Sequence, residues 1–280
     1  MADPEGGLQA LRRLGEAGAS DPAAALAQLY DLDLLADDPG DLDLYRSLAR
    51  RTGGPILELA AGTGRITVPL AEAGFDVTAV DLDPAMLSRA ADRARAAGAG
   101  DRVTLVEADL LDLGEQPLPD AGRYRLAILA LNSIFLLADR PSQAAALRIM
   151  AAHLAPGGLA VVDVWVPARP DLEVYDGRLM LATLRLEPDG TSLTKTWSAV
   201  RDPDGRAVEV STWYDLAAPG GSVVRWVRRD PMRLVGADEL RTMAEEAGLD
   251  VEVIAGDRDL GPLDDDSERA VLVARRPAPA

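Results

Sequence analysis

Pro55-Ile56-Leu57-Glu58-Leu59-Ala60-Ala61-Gly62-Thr63-Gly64-Arg65 decides how the rest of the chain reads. A short apolar run ends beside an acid, turns through small residues and two glycines, and enters a helix. Small residues at such a strand-to-helix turn let main-chain N–H groups approach a ligand closely. The helix is expected to run to about Ala73, with Pro69 as a local conflict because it removes one backbone donor.

Downstream the same rhythm repeats. Val77-Thr78-Ala79-Val80 reads as a strand ending at Asp81, and Asp83-Pro84 opens a helix with a capping acid and a proline at its first position. Val103 to Val106 is the third strand, followed by Glu107-Ala108-Asp109. Leu126 to Leu131 is the fourth, followed by Asn132-Ser133, and Pro141 to Leu154 is helical. Ala155-Pro156-Gly157-Gly158 turns the chain into a fifth strand, Leu159 to Val164. Continuous apolar strands alternating with helices indicate a parallel sheet covered on both faces.

After Trp165 the rhythm breaks. Residues 178–235 alternate between segments separated by Pro188-Asp189-Gly190, Pro203-Asp204-Gly205 and Pro219-Gly220-Gly221. That spacing predicts a small antiparallel sheet of roughly four strands. A helix from Ala237 to Ala247 follows, and Val251 to Ala255 and Ala270 to Ala274 return to the main sheet. Upstream, residues 1–20 are expected to form a loose leader, residues 22–36 a helix, and Asp41 caps a helix carrying Leu44 and Leu48 on one face.

Composition limits the function. The chain has 280 residues, 48% of them hydrophobic, which rules out disorder and suits one elaborated domain. It has no cysteine and one histidine, His153, which removes thiolate chemistry and histidine-rich metal sites, so no metal is expected. A lone histidine at a helix end commonly satisfies carbonyls and is seldom a base without a partner. Net charge is -17, against nucleic-acid binding. Arg225, Arg228, Arg229 and Arg233 cluster, and read as the solvated face of a strand. No apolar run is long enough to span a bilayer and the start is acidic, so a cytoplasmic protein is expected, with no membrane partner.

Four stretches carry a resemblance: Glu58 to Arg65, Asp81 to Leu87, Glu107 to Asp109, and His153 to Gly158. In this order, each beside a strand, they resemble the motifs of class I S-adenosylmethionine-dependent methyltransferases of the small-molecule type. The resemblance covers about residues 41–165. It implies an α/β fold: a doubly wound, Rossmann-like, mostly parallel seven-stranded sheet with an antiparallel β insertion after the fifth strand. It divides the chain into an N-terminal helical cover (1–40), an S-adenosylmethionine-binding core (41–177), an insertion acting as an acceptor lid (178–235), and a C-terminal helix with the last strands (236–280).

By position, the resemblance places Ala60, Gly62 and Gly64 along the methionine part of S-adenosylmethionine and Glu58 near its amino group. Asp81 would hold the ribose. Asp109 and Leu110 would frame the adenine, with Leu82 and Met86 packed on its face. Asn132 would lie near the reactive methyl, and Tyr30 and Tyr45 would cover the cofactor or simply pack in the core. Arg65, Trp165, Trp197, Trp213 and Tyr214 are candidates for contact with a small-molecule acceptor, against the plainer readings of a solvated side chain and of sheet packing.

The expected activity is methyl transfer to a nitrogen or oxygen of a small molecule. Nitrogen is favoured because oxygen usually needs a base and no obvious one is present. A nicotinamide-dependent oxidoreductase is the alternative, weakened by Thr67 where a third glycine would stand. A non-catalytic S-adenosylmethionine binder uses the same turn. A homodimer is compatible with the sequence.

Overall fold

The computed structural model describes residues 21–36, 38–118, 120–167 and 172–278, so the expected leader at 1–20 lies outside the described residues. The chain divides into two compact units, one built on residues 39–168 and 233–280, the other on 1–38 and 169–232.

In the second unit, helix α1 (Pro22–Ala36) packs on a sheet of its own. In the α/β unit, α2 (Leu42–Thr52) is followed by β1 (Ile56–Leu59), α3 (Thr67–Glu72), β2 (Val77–Asp81), α4 (Pro84–Ala96) and β3 (Val103–Glu107). Then come β4 (Tyr124–Leu129), α5 (Arg140–His153) and β5 (Leu154–Trp165). The chain next forms β6 (Met180–Leu186), β7 (Ser192–Arg201), β8 (Ala207–Ala217) and β9 (Val223–Arg233). It ends with α6 (Ala237–Glu246), β10 (Asp250–Ala255) and β11 (Arg269–Arg275).

The large sheet has seven strands in the order β10-β11-β5-β4-β1-β2-β3. Its pairings from β5 through β3 are parallel, and those of β11 with β5 and β10 are antiparallel. This is the expected fold class. The apolar strands are continuous because both faces are covered: all four residues of β1 are buried, and Ile56, Leu126, Leu159 and Val271 share one core with Leu44 and Leu48 of α2.

Two boundaries differ from expectation. Helix α3 begins at Thr67, so Pro69 stands in its first turn, where a backbone donor has no helical partner to lose. Strand β5 begins at Leu154: Tyr124 pairs with Leu154 and Leu126 with Leu159, so the expected turn at 155–158 is an excursion within the strand.

The small sheet is antiparallel, in the order β6-β7-β8-β9. Its core joins Leu193, Tyr214, Leu216 and Trp226 to Ala25 and Leu29, which lie one helical turn apart on α1. Among the described residues no helix is long and apolar enough to cross a membrane.

Candidate functional site

The order of the large sheet places a crossover between β1 and β4: the chain builds outward through β2 and β3, then returns to the other side of β1. Open α/β sheets bind ligands beyond the carboxyl ends of the strands at such a point. Glu58, Asp81, Asp109, Asn132 and Asp163 all sit at or just past the carboxyl ends of successive strands.

Backbone strain gathers there. Ala60, Leu131 and Asn132 have φ of 53°, 45° and 64°, left-handed values that disfavour side chains, and they follow the adjacent strands β1 and β4. Each costs on the order of 1–3 kcal/mol, which the surrounding packing sustains. Gly64 has a φ of +74°, and a Cβ on it would lie 3.0 Å from the Ala90 Cβ, so this glycine is required for α4 to pack on the turn.

The turn is braced from within. Asp81 accepts from the Gly62 N–H at 2.7 Å through one oxygen and from the Asp83 N–H at 2.9 Å through the other. The Gly64 N–H donates to the Ala61 carbonyl at 3.1 Å. The glycine amides expected to face a ligand therefore hold the loop's own shape. Asp81 couples the turns after β1 and β2, and the remaining lone pairs of its two oxygens are what it can offer hydroxyl donors.

Glu58 is 3% exposed and accepts a hydrogen bond from the Thr67 hydroxyl. Burial pushes its carboxyl up to about 7, with the Thr67 hydrogen bond opposing. Thr67 stands where a dinucleotide fingerprint would put its third glycine, and its side chain serves this carboxyl instead. Leu82, just past Asp81, is 67% exposed, and Met86 and Leu110 are half-buried. Asp109 caps a short 3-10 turn, accepting from Leu111 N at 2.9 Å. Asn132 Oδ1 accepts from Trp165 N at 2.5 Å, and Asn132 N donates to the Asp163 carbonyl, so Asn132 ties the ends of β4 and β5 together.

A buried charged network lies under these groups. Arg65 forms a two-pronged pair with Asp41, which is fully buried at the start of α2, so Arg65 is neither solvated nor presented as a loose cation. Asp163, also fully buried, accepts from Arg258 at 3.1 Å and from Arg269 at 2.6 Å. Tyr45 has no exposed surface and its hydroxyl has no hydrogen-bond partner; burial and the nearby Asp163 and Asp41 push that hydroxyl well above its ordinary range. An unmatched buried donor costs about 1–3 kcal/mol, which the surrounding packing sustains. This network escaped the sequence reading, although a charged residue in Val161-Val162-Asp163-Val164 was a signal for it.

His153 is buried, with Nδ1 bonded to the Ile149 carbonyl at 2.8 Å and Nε2 accepting from Leu118 N at 3.2 Å. It ends α5 and precedes β5, at the sheet edge opposite the strand carboxyl ends.

The acceptor candidates do not form one group. Trp165 ends β5 in the α/β unit. Lys195, Trp197 and Tyr214 share one face of the small sheet, since Lys195 pairs with Tyr214 and Trp197 with Thr212. Trp213 pairs with Thr196 on the opposite face. Tyr214 is a core residue whose hydroxyl donates to Asp33 at 2.5 Å beside Lys195 Nζ at 2.7 Å; burial raises its ionisation far above the ordinary range. Trp197 stands edge-on to Tyr175 at 6.0 Å. Tyr30 lies on α1, in the unit with the small sheet. The arginines expected to form a solvated stripe are mostly paired: Arg225 with Asp215, Arg228 with Asp230, and Arg233 with Gln143 and Glu239.

Residues 56–158 match a family described as "Methyltransferase domain". The chain is similar to a cypemycin N-terminal methyltransferase from a Streptomyces species, 27% identical over 92% of this chain and 99% of that one. It is also 27% identical to a dTDP-3-amino-3,4,6-trideoxy-alpha-D-glucopyranose N,N-dimethyltransferase from Streptomyces venezuelae, over 82% of this chain and 92% of that one. Among solved structures, the CcbJ methyltransferase from Streptomyces caelestis is 26% identical with a TM-score of 0.69, covering 88% of this chain and 96% of its own.

Proposed function

We propose that this chain, whose α/β unit is a class I S-adenosylmethionine-dependent methyltransferase domain, transfers the methyl group to a nitrogen of a small polar acceptor. The observation that carries the reading is the Asp81 carboxylate, which braces the glycine turn at Gly62 while standing at the end of β2, where a ribose would be held. The cofactor supplies an already activated methyl; the protein's work is alignment and exclusion of water.

The residues fit that cofactor. Glu58, once ionised, provides a buried negative charge for the amino group, and the cation's presence would draw its carboxyl back toward the ionised form. Leu82 and Met86 give apolar surface for the adenine, and Asn132 stands just past the end of β4, where the reactive methyl would lie.

Two features favour nitrogen over oxygen. The histidine is locked at the opposite sheet edge with both ring nitrogens engaged, so it is no base for a hydroxyl. A neutral amine carries its own lone pair and needs none. Of the two relatives above, alike over more than four fifths of the chain, one is by name an N-terminal methyltransferase and the other an N,N-dimethyltransferase of an amino sugar.

The test is mass spectrometry of acceptor mixtures incubated with S-adenosylmethionine. The panel contains nucleotide-linked amino sugars, short peptides with free N-termini, the hydroxyl analogues of each, and RNA oligonucleotides. Methylated amines with silent hydroxyl analogues and silent RNA are expected. Methylation confined to hydroxyls or to RNA would refute the assignment.

A further inference from the structure

The face of the small sheet opposite α1 is apolar, exposed and built to one side by a specific irregularity. Leu181, Leu184 and Leu186 of β6 are 64%, 61% and 72% exposed. A strand alternates its side chains, so an odd spacing of three would send Leu181 to the other face from Leu184. The register instead shifts between Leu181 and Thr183, so that Leu181 pairs with Thr196, Leu184 with Thr194 and Leu186 with Ser192. The extra residue, Ala182, puts all three leucines on one face.

Across the sheet that face continues. Thr194 and Thr196 pair with Asp215 and Trp213 on β8. Asp215 in turn holds Arg225 of β9 through two hydrogen bonds of 2.6 Å, which fixes Arg225, and with it Val223 and Val227, on the same side. Val223 and Val227 are 57% and 44% exposed. In a chain with 27% charged residues, this face holds the Asp215–Arg225 pair, Glu209 and Arg229, charges that sum to zero, among leucines, valines, threonines and a tryptophan.

We propose that this face is the contact surface of a homodimer, with the small sheets of two copies stacked face to face. A second copy is the occupant that the charge pattern suits. The chain carries -17 overall, so two copies repel at a distance, and only a locally neutral contact lets them meet. Glu209 of β8 and Arg229 of β9 add one charge of each sign to the Asp215–Arg225 pair on this side, so a strongly charged partner would find no net counter-charge, whereas under two-fold symmetry these opposite charges can face one another across the contact. The area is adequate: four strands of about ten residues cover roughly 33 by 19 Å, about 600 Å² per copy and ~1,200 Å² in total, within the range of specific interfaces. Sheet faces packed at about 10 Å would interdigitate the leucines of one copy with the valines and Trp213 of the other.

Sedimentation equilibrium of the full chain, with and without the double substitution Leu181→Glu and Leu184→Glu, tests this. Wild type at about 20 μM is expected to have twice the mass of one chain. The variant is expected as a monomer, its dissociation constant raised at least about 100-fold, with S-adenosylhomocysteine affinity unchanged. Should that variant misfold, Thr194→Glu with Thr196→Glu places the same charge on the same face without removing a leucine, and is expected to halve the mass too. A monomeric wild type, or face variants as dimeric as wild type, would overturn the proposal.

Discussion

The two units solve the problem of an exposed sheet differently. The centre of the seven-stranded sheet is covered on both faces, so β1, β4 and β5 are largely apolar and the polar groups of the site gather at the carboxyl ends. The four-stranded sheet buries one face against α1, and its opposite face carries leucines, threonines and Trp213. In the first unit, irregular backbone marks ligand chemistry: left-handed φ at Ala60, Leu131 and Asn132, and acids tied to main-chain donors. In the second, the irregularity is a bulge that re-aims side chains, which is a device for recognition between surfaces. On the function proposed above, cofactor binding falls to the first unit, and acceptor choice and self-association to the second.

The largest expected effect follows from removing Asp81. Asp81→Ala loses the ribose contacts and two charge-assisted hydrogen bonds to the turns, each worth about 1.5–3 kcal/mol. Affinity for S-adenosylhomocysteine should fall at least about 100-fold by calorimetry, with a lowered Tm because the turn loses its brace. An undiminished affinity in a folded variant would detach the ribose from Asp81.

Next is Glu58, whose carboxyl is pushed from 4.5 up to about 7 by burial. Because the folded value lies above the unfolded one, the protonated form is favoured in the fold. That advantage is complete below about pH 4.5 and is lost as pH rises through about 7. Glu58→Gln stays neutral, so it should match wild type in acid and exceed it above pH 7, by on the order of 3 kcal/mol in the ligand-free protein. The same substitution should weaken S-adenosylmethionine binding about tenfold at pH 7, since it removes the charge facing the amino group. Thermal melts of both proteins from pH 4.5 to 8 check the first point; parallel curves at every pH would contradict it.

The smallest effect separates the units directly. Trp197→Ala should raise the acceptor KM roughly tenfold and leave S-adenosylhomocysteine affinity within about twofold. Tyr214→Phe should lower Tm, through loss of the hydrogen bond to Asp33. If Trp197→Ala weakens cofactor and acceptor alike, the division of labour between the units is wrong.

How far the sequence reached follows the same division. The α/β unit was readable because each strand ends in a glycine, acid or amide that punctuates an apolar run, and the glycine turn, Asp81, Asp109 and Asn132 all fall at those ends. What stayed hidden there depends on distant partners. Asp163 is satisfied by Arg258 and Arg269, about a hundred residues away, and Arg65 by Asp41 at the start of α2, so an acid within an apolar strand can be seen locally but its partners cannot. The four strands of the small sheet were readable from three proline–glycine turns. Which of its aromatic residues share a face was not, because the register of β7 on β8 decides it. Tyr214 therefore proved to be core and Trp213 to lie on the other face from Trp197.

The proposed function depends on the turn from Glu58 to Gly64, braced by Asp81, holding S-adenosylmethionine. Isothermal titration of the full chain with S-adenosylhomocysteine and, separately, with NAD tests it most directly. Micromolar-range binding of S-adenosylhomocysteine with no comparable binding of NAD is predicted. Tighter binding of NAD, or no binding of S-adenosylhomocysteine by the folded protein, would contradict it.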